Sequence, residues 1–240
     1  MPLATCVMSW PPLGHTWPVA DLHLVDAPDV TWRVERTSPP LVFSKISPID
    51  AAGRAGNRFD VPGAGVLYTA TEPVGALAET LARFRPSTDL LLQMNEHPDD
   101  GYPPAGLVDP SWVAVAMRRL RSIRLDSPLK FVDVDDPRTH TYLTKHAARE
   151  LLGVGVKNLD VAVMRGAERR VTRALAAWIY SQIDGRGNSL YSGIRYTSRL
   201  GDYECWAIFD GTQTNVASET RLEGHTAVNE IAAAFDLTLG

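Results

Sequence analysis

Residues 53–79 limit the possible folds of this chain most strongly, because they join a loop, a strand and a helix without interruption. The loop contains four glycines and a proline, so its backbone can take positive φ angles and approach a bound ligand closely. Arg58 lies in the middle of this loop. Residues 66–70 predict a short buried strand containing Tyr68, and Thr71 is predicted to cap the helix that follows. The stretch therefore brings a flexible backbone, an arginine and a tyrosine close together.

Length and composition predict one large domain. A chain of 240 residues, of which 45% are hydrophobic, can bury a sizeable core. We expect a single domain over residues 1–240, with its core at about 30–210. An N-terminal wrap over about 1–28 and a helical tail after residue 210 are expected to flank that core.

Charge and cysteine content argue against several classes of protein. The formal net charge of −4 gives no general attraction to nucleic acid or to an anionic membrane. The two cysteines, Cys6 and Cys205, lie far apart, which argues against a disulfide framework and favours a reducing cytosol. A signal peptide requires positive charge near its start, but no Lys or Arg precedes Arg33. No apolar run reaches transmembrane length. We therefore expect a cytoplasmic protein.

Residues 30–36 alternate between apolar and polar side chains and predict a half-buried strand. Val30, Trp32 and Val34 would face the core. Arg33 would then project from the polar face, where it could either border a cleft or meet water.

Further patterns predict the other elements of the chain. They are a surface loop or lid at 85–110, a short helix at 111–121, a strand at 129–135, helices at 136–152 and 161–183, a segment containing Ser198 at 191–199, a strand at 203–210, and an amphipathic helix near 228–235.

Four of these pieces, in this order, resemble the RES domain family, which is named for an arginine, a glutamate and a serine. They are the strand with Arg33, the loop with Arg58, the Val-Leu-Tyr strand with its Ala-Leu-Ala-Glu helix, and the segment ending at Ser198. The resemblance covers roughly residues 30–210. It implies an α+β fold like that of ADP-ribosyltransferases, with a curved or split mixed β-sheet and flanking helices.

The resemblance also implies an activity. Characterised RES domains are toxins of toxin–antitoxin pairs that consume NAD by hydrolysis or phosphorolysis, or transfer ADP-ribose to a protein. We therefore expect NAD as the substrate, no metal, and a cognate Xre-like antitoxin as partner; a homo-oligomer is also compatible with the sequence.

The family match assigns a role to five residues. Nicotinamide is a cationic pyridinium while it is bound in NAD, so its departure needs no general acid. The remaining requirement is an anion near the ribose, and Glu79 would stabilise the positive charge that develops there. Arg33 and Arg58 would hold the pyrophosphate, since a guanidinium matches phosphate oxygens in pairs. Tyr68 would position the nicotinamide end, and Ser198 would orient the substrate.

Each of these residues also has an ordinary structural interpretation. Glu79 lies on the polar side of its helix, Tyr68 could be a core tyrosine, and both arginines could form surface ion pairs. Two other functions therefore remain open at this point. One is an ADP-ribosyltransferase that modifies a protein, and the other is a non-catalytic nucleotide-binding module.

The remaining polar clusters predict no separate site. Asp133, Asp135 and Asp136 lack the spacing of a calcium loop, and His140 and His146 are not spaced like zinc ligands on one helix face. Two groups of arginines are predicted to form solvated faces of helices, with an antitoxin contact as another use. They are Arg118, Arg119, Arg121 and Arg124, and Arg165, Arg169, Arg170 and Arg173.

Overall fold

The computed structural model describes residues 21–36, 38–53, 55–97, 101–102, 104–114, 118–126 and 129–240. Most of the predicted N-terminal wrap, residues 1–20, lies outside the described residues. The strands are β1 (Leu24–Val25), β2 (Val30–Arg36), β3 (Ser44–Lys45), β4 (Gly65–Ala70), β5 (Leu107–Val108), β6 (Arg118–Leu125), β7 (Phe131–Asp133), β8 (Gly193–Thr197), β9 (Glu204–Phe209), β10 (Thr214–Thr220) and β11 (Thr238–Leu239). The α-helices are α1 (Pro73–Leu81), α2 (Thr88–Glu96), α3 (Pro110–Ala114), α4 (Pro137–His146), α5 (Ala148–Gly153), α6 (Val161–Arg165), α7 (Arg169–Tyr180) and α8 (Thr226–Ala234).

Most strands form one mixed sheet in the order β1-β7-β8-β9-β4-β2-β6-β10, with β3 also paired to β4. The β7–β8 pair is parallel, whereas the other pairs in this sheet are antiparallel. Helices α1, α4, α5, α7 and α8 all contribute buried side chains to one large apolar cluster. The predicted α+β fold, a mixed sheet with flanking helices, is therefore confirmed.

The sheet opens between β2 and β4. On one side β4 pairs with β9 through five successive residues, from Val66 to Ala70. On its other side β4 meets β2 only where Trp32 lies opposite Ala70, and β3 pairs with the far end of β4. Backbone groups in the middle of β4 are therefore left facing a gap, which is the split that the resemblance implies.

Helix α1 follows β4 directly and lies over the core. Leu77, Ala78 and Leu81 are fully buried, as the apolar spacing of this segment predicts. The helix begins one residue later than expected, because Glu72 and not Thr71 occupies the N-cap position. The Thr71 hydroxyl instead donates to Oε2 of Glu204 at 2.6 Å, which ties the end of β4 to β9.

Strand β2 differs from its prediction in burial. Thr31 is fully buried and Glu35 is only 8% exposed, so the expected polar face is covered as well. The cover comes from β6 and its arginines: Arg121 donates to Oε1 of Glu35 at 2.7 Å and pairs with Glu219. Ion pairing allows a polar face to be buried. From the alternation of polar and apolar residues alone, such a face is predicted to be exposed to solvent.

Three other predictions need correction. The stretch 85–110 is not all loop, because it contains α2. The predicted helix at 111–121 ends at Ala114, and the arginines from Arg118 to Arg124 lie on β6, where Arg121 is buried. Residues after Asp210 contribute not only α8 but also β10, which completes one edge of the sheet.

Candidate active site

A cleft of about 640 Å³ lies where the sheet opens. Its walls come from the middle of β2, the end of β4, the outer side of α1, the loop that carries Arg58, and the turn after β8. This volume lies within the range that binds small organic ligands in proteins, roughly 300–1,000 Å³. We call this space the cleft.

The loop before β4, residues 51–60, is organised by a buried cation. Arg173 of α7 is only 2% exposed, and its guanidinium donates to four backbone carbonyls of the loop. The distances to the carbonyls of Ala51 and Gly53 are 2.8 and 3.0 Å. Because one planar group collects four acceptors, the loop has a defined shape although it has no regular secondary structure.

Asp60 fixes the same loop from its other end. It is buried, and it accepts hydrogen bonds from the amide of Asn57 at 2.5 Å and from the hydroxyl of Tyr68 at 2.8 Å. Gly56 is required here, since its φ is +72° and a Cβ atom would collide with the Asp60 carboxylate. The loop is thereby joined to β4 through Tyr68.

Arg58 reaches the cleft from this loop. One of its amino groups donates to the carbonyl of Met164, and its guanidinium lies over the rings of Phe59 and Tyr196, 5.2 and 5.6 Å from their centroids. Its Nε atom is buried and has no hydrogen-bond partner. Burial lowers the pKa of Arg58, and the charge of Arg199 lowers it as well, whereas Glu79 opposes the shift.

Arg33 bridges the opening in the sheet. Its Nη1 donates to the carbonyl of Tyr68 at 2.7 Å, and its Nε donates to Oε2 of Glu35 at 3.2 Å. Glu35 is held in turn by Arg121. Arg33 therefore satisfies a β4 carbonyl that the missing strand pairing leaves open, while its side chain borders the cleft.

Glu79 and Ser198 form a hydrogen bond at the wall of the cleft. The Ser198 hydroxyl donates to Oε1 of Glu79 at 2.7 Å and accepts from the amide of Leu200 at 3.0 Å. Ser198 is only 4% exposed, whereas Glu79 is exposed towards the cleft. The preceding residue, Thr197, donates its amide to Asp135 at 2.6 Å, which fixes the end of β8. The glutamate is thus oriented by a serine that is itself fixed.

The structure brings the sequence-predicted residues together. Arg33, Arg58, Tyr68 and Glu79 border one cleft, and Ser198 contacts Glu79. The Tyr68 hydroxyl is occupied, because it donates to Asp60 and accepts from the Phe59 amide at 3.1 Å. Burial is the main reason that the pKa of Tyr68 lies well above its ordinary value, and the charge of Asp60 raises it further. Only the ring of Tyr68 is therefore available to a ligand.

Sequence reasoning missed four residues of this region, namely Asp60, Arg173, Tyr196 and Arg199. Tyr196 had a signal, because the period of a strand places it on the same face as Ser198, two residues later. Arg199 had only its position beside Ser198. The prediction that Arg173 lies on a solvated helix face is wrong, because it is buried against the loop. Asp60 and Arg173 had no local signal as site residues, since their contacts depend on the tertiary path of that loop.

The other polar clusters have structural partners. Asp133 and Asp135 pair with Arg195, Asp136 caps α4, and Nε2 of His140 bonds to the carbonyl of Val134 at 2.7 Å. Within the described residues, no group of three or more His, Cys, Asp or Glu is arranged to hold a metal ion. Cys205 is buried with a free thiol, while Cys6 lies in the part of the chain that is not described. No helix in the described ranges is long and apolar enough to cross a membrane.

The chain resembles a solved structure, the M. tuberculosis MbcT–MbcA toxin–antitoxin complex. The TM-score is 0.49 and the sequence identity 14%, over 88% of this chain and 92% of that chain. No curated protein matches the chain significantly. The model of the RES domain matches residues 30–229, so it extends past Asp210, where the resemblance read from the sequence ends. The chain belongs to the RES domain family.

Proposed function

We propose that this protein cleaves the nicotinamide–ribose bond of NAD, with water or phosphate as the acceptor. The observation that carries the proposal is the Glu79 carboxylate, which faces a cleft bordered by arginines and is oriented by the Ser198 hydroxyl at 2.7 Å. A single carboxylate among cations suits a ligand that carries a pyrophosphate and develops one positive charge during reaction. Membership of the RES domain family supports the same activity.

Glu79 has the geometry needed to stabilise that charge. Its Oε1 accepts from Ser198, which leaves Oε2 to accept from a ribose hydroxyl. Nicotinamide leaves as a neutral molecule from a cationic pyridinium, so no acid has to protonate it. The carboxylate then acts on the oxocarbenium-like ribose, where a fixed negative charge lowers the barrier most effectively.

The arginines supply the complementary charge for the pyrophosphate. Arg33 and Arg58 approach the cleft from opposite sides of the opening, on β2 and on the loop before β4. Each charge-assisted hydrogen bond to a phosphate oxygen contributes about 1.5–3 kcal/mol. The Tyr68 side chain on β4 borders the same cleft, where its ring can pack against the nicotinamide or the ribose.

The decisive experiment is nicotinamide release from NAD by the purified chain, with and without inorganic phosphate, followed by chromatography of both products. Phosphate-dependent release that yields ADP-ribose phosphate identifies a phosphorylase. Release without phosphate identifies a hydrolase. No release from folded protein in either buffer contradicts the proposal.

Protein modification is separated by a second assay. NAD labelled in its adenylate half is incubated with the chain and a cell lysate, and proteins are separated by electrophoresis. A labelled band, together with slow release in buffer alone, would identify an ADP-ribosyltransferase. Binding of NAD without any cleavage would identify a nucleotide-binding module.

We further propose that the chain is the toxin of a toxin–antitoxin pair and acts on the cytoplasmic NAD pool. Membership of the RES domain family supports this role. Expression in a bacterial host should arrest growth and deplete NAD, and a Glu79→Gln variant should do neither. Growth arrest by both proteins would separate toxicity from NAD cleavage.

A further inference from the structure

The turn that follows β8 brings a further arginine, Arg199, to the cleft beside Glu79 and Ser198. Ser198 is fixed by its bonds to Glu79 and to the amide of Leu200. Arg199 lies between these two anchored residues, and its side chain borders the cleft. The backbone at Arg199 is therefore held next to Glu79 by the same hydrogen bonds that orient the carboxylate.

Arg199 differs from the other arginines of the cleft in having no partner among the described residues. Arg33 bonds to Glu35 and to the Tyr68 carbonyl, and Arg85 lies 4.9 Å from the ring centroid of Phe235. Arg169 donates to the carbonyl of Gly56. The described part of the chain offers Arg199 neither a carboxylate nor a carbonyl, although it has five N–H donors.

Arg58 borders the same cleft as Arg199, and it too has unused donor capacity. Within the described ranges, its Nε is buried without a hydrogen bond and its amino groups donate only to the Met164 carbonyl. Burial is the main reason that the pKa of Arg58 is lowered, and the positive charge of Arg199 lowers it further. Two like charges that border one cleft repel each other, and an anion bound between them offsets that repulsion.

We propose that Arg58 and Arg199 form a clamp for one phosphate group. A tetrahedral phosphate presents oxygens in several directions, so it can accept from two guanidinium planes that approach from different walls. Arg33 has two of its donor nitrogens committed to the protein, which leaves the main share of this contact to the clamp. The identity of the bound molecule rests on the proposed function, whereas the anion site itself does not.

The phosphate held by the clamp has two sources, which share the same kind of acceptor oxygen. It is either one phosphate of the dinucleotide's pyrophosphate or the free phosphate that accepts the ADP-ribosyl group. In both cases Arg199 contacts substrate next to Glu79 and determines how tightly an anion is held there.

Binding of inorganic pyrophosphate tests the clamp without any turnover. Titration calorimetry on the full chain should show pyrophosphate binding that weakens about 10- to 100-fold in Arg199→Met, the effect of losing one charged hydrogen-bonding partner. Arg199→Lys, which keeps the charge but loses the planar fork, should fall in between. Arg186→Met is the matched control, since Arg186 lies in the exposed turn before β8, at the opposite end of that strand.

Steady-state kinetics then identify the source of the phosphate. If the clamp holds the dinucleotide, Arg199→Met raises KM for NAD at least about tenfold at every phosphate concentration. If it holds the acceptor, KM for phosphate rises instead and KM for NAD stays within about twofold. Because Arg199 is exposed, its variant should keep the wild-type melting temperature.

The two proposals fail separately. Wild-type protein that binds pyrophosphate through Arg199 but releases no nicotinamide would overturn the NAD activity and leave the clamp standing. Equal pyrophosphate affinity in the wild type, Arg199→Met and Arg186→Met would overturn the clamp, whatever the enzyme assay shows.

Discussion

Glu79 is the residue on which the proposed chemistry depends most directly. Glu79→Gln should lower kcat for nicotinamide release at least about 100-fold, because the amide keeps the shape but removes the negative charge that stabilises the transition state. The Ser198 hydroxyl can still donate to the amide oxygen, so the fold should not change. Product chromatography measures the rate, and thermal unfolding checks the fold.

The matched control for Glu79→Gln is Glu72→Gln at the start of the same helix. Glu72 is exposed, and its side chain makes no capping hydrogen bond. This variant should keep kcat within about twofold, as expected of a surface position. A folded Glu79→Gln protein with wild-type kcat would remove this carboxylate from the mechanism.

Tyr68 allows the ring and the hydroxyl to be tested separately. Tyr68→Phe removes the hydroxyl that bonds Asp60 and the Phe59 amide, so it should cost about 1–3 kcal/mol of stability. Its KM for NAD should rise only severalfold, because the ring remains in the cleft. Tyr68→Leu should raise KM at least about tenfold, and it should be less stable than Tyr68→Phe because it also loses the packing of the ring against the core. Equal KM values in the two variants would argue against ring contact with substrate.

The residues of the candidate site could be predicted from the sequence because they belong to recognisable local patterns. Arg33 follows from strand alternation, and Arg58 and Glu79 from the loop, strand and helix between residues 53 and 79. Their partners could not be predicted in the same way. The Glu79–Ser198 bond joins residues that are 119 positions apart, and no local pattern records such a contact.

At the scale of elements, α7 determines the shape of the loop that presents Arg58. Arg173→Lys should destabilise the protein by roughly 2–4 kcal/mol, because the lysine keeps the charge but cannot reach the same set of carbonyls. KM for NAD should rise at least about tenfold as the loop loses its fixed form. Urea unfolding and steady-state kinetics measure the two effects.

Arg170→Lys, on the same helix, is the control for that experiment. Arg170 is exposed and pairs with Glu168 at the surface, so its replacement should leave stability close to that of the wild type. If Arg173→Lys behaves like Arg170→Lys in both measurements, the loop does not depend on the buried guanidinium.

The same contrast explains which elements the sequence could predict. Strand β2, strand β4 and helix α1 have clear periodicity, and the structure contains them close to their expected bounds. The sequence predicts a helix where β6 begins, because arginines dominate the pattern of that segment. The partners of Arg121, Glu35 and Glu219, come from two other strands. Burial by ion pairs between distant strands is a tertiary effect, which composition along one segment does not reveal.

For the whole molecule, the opening of the sheet joins fold and function. A continuous sheet would pair the middle of β4 with a neighbouring strand and fill the space that the cleft occupies. The chain instead pairs β4 with β2 at one residue and with β3 at the other end, and Arg33 satisfies the Tyr68 carbonyl in between. Arginines border the cleft although the net charge of the protein is −4. Attraction of anions is therefore a local property of the cleft and not of the whole surface.

Stability of the whole molecule should fall steeply in acid, and Asp136 provides the clearest test. Its hydrogen bond to Arg138 is the main reason that its pKa falls from 3.8 to about 2 in the folded protein. A depressed folded pKa contributes stability above the unfolded value, and that contribution is lost as the pH falls from about 4 towards 2. Asp136→Asn cannot ionise but can still cap α4. It should therefore be less stable than the wild type at pH 7, with the difference shrinking towards pH 2 in urea unfolding experiments. Arg138→Met should reproduce much of this loss at pH 7. If the stability difference between wild type and Asp136→Asn is instead independent of pH, Asp136 contributes through its capping geometry and not through its charge.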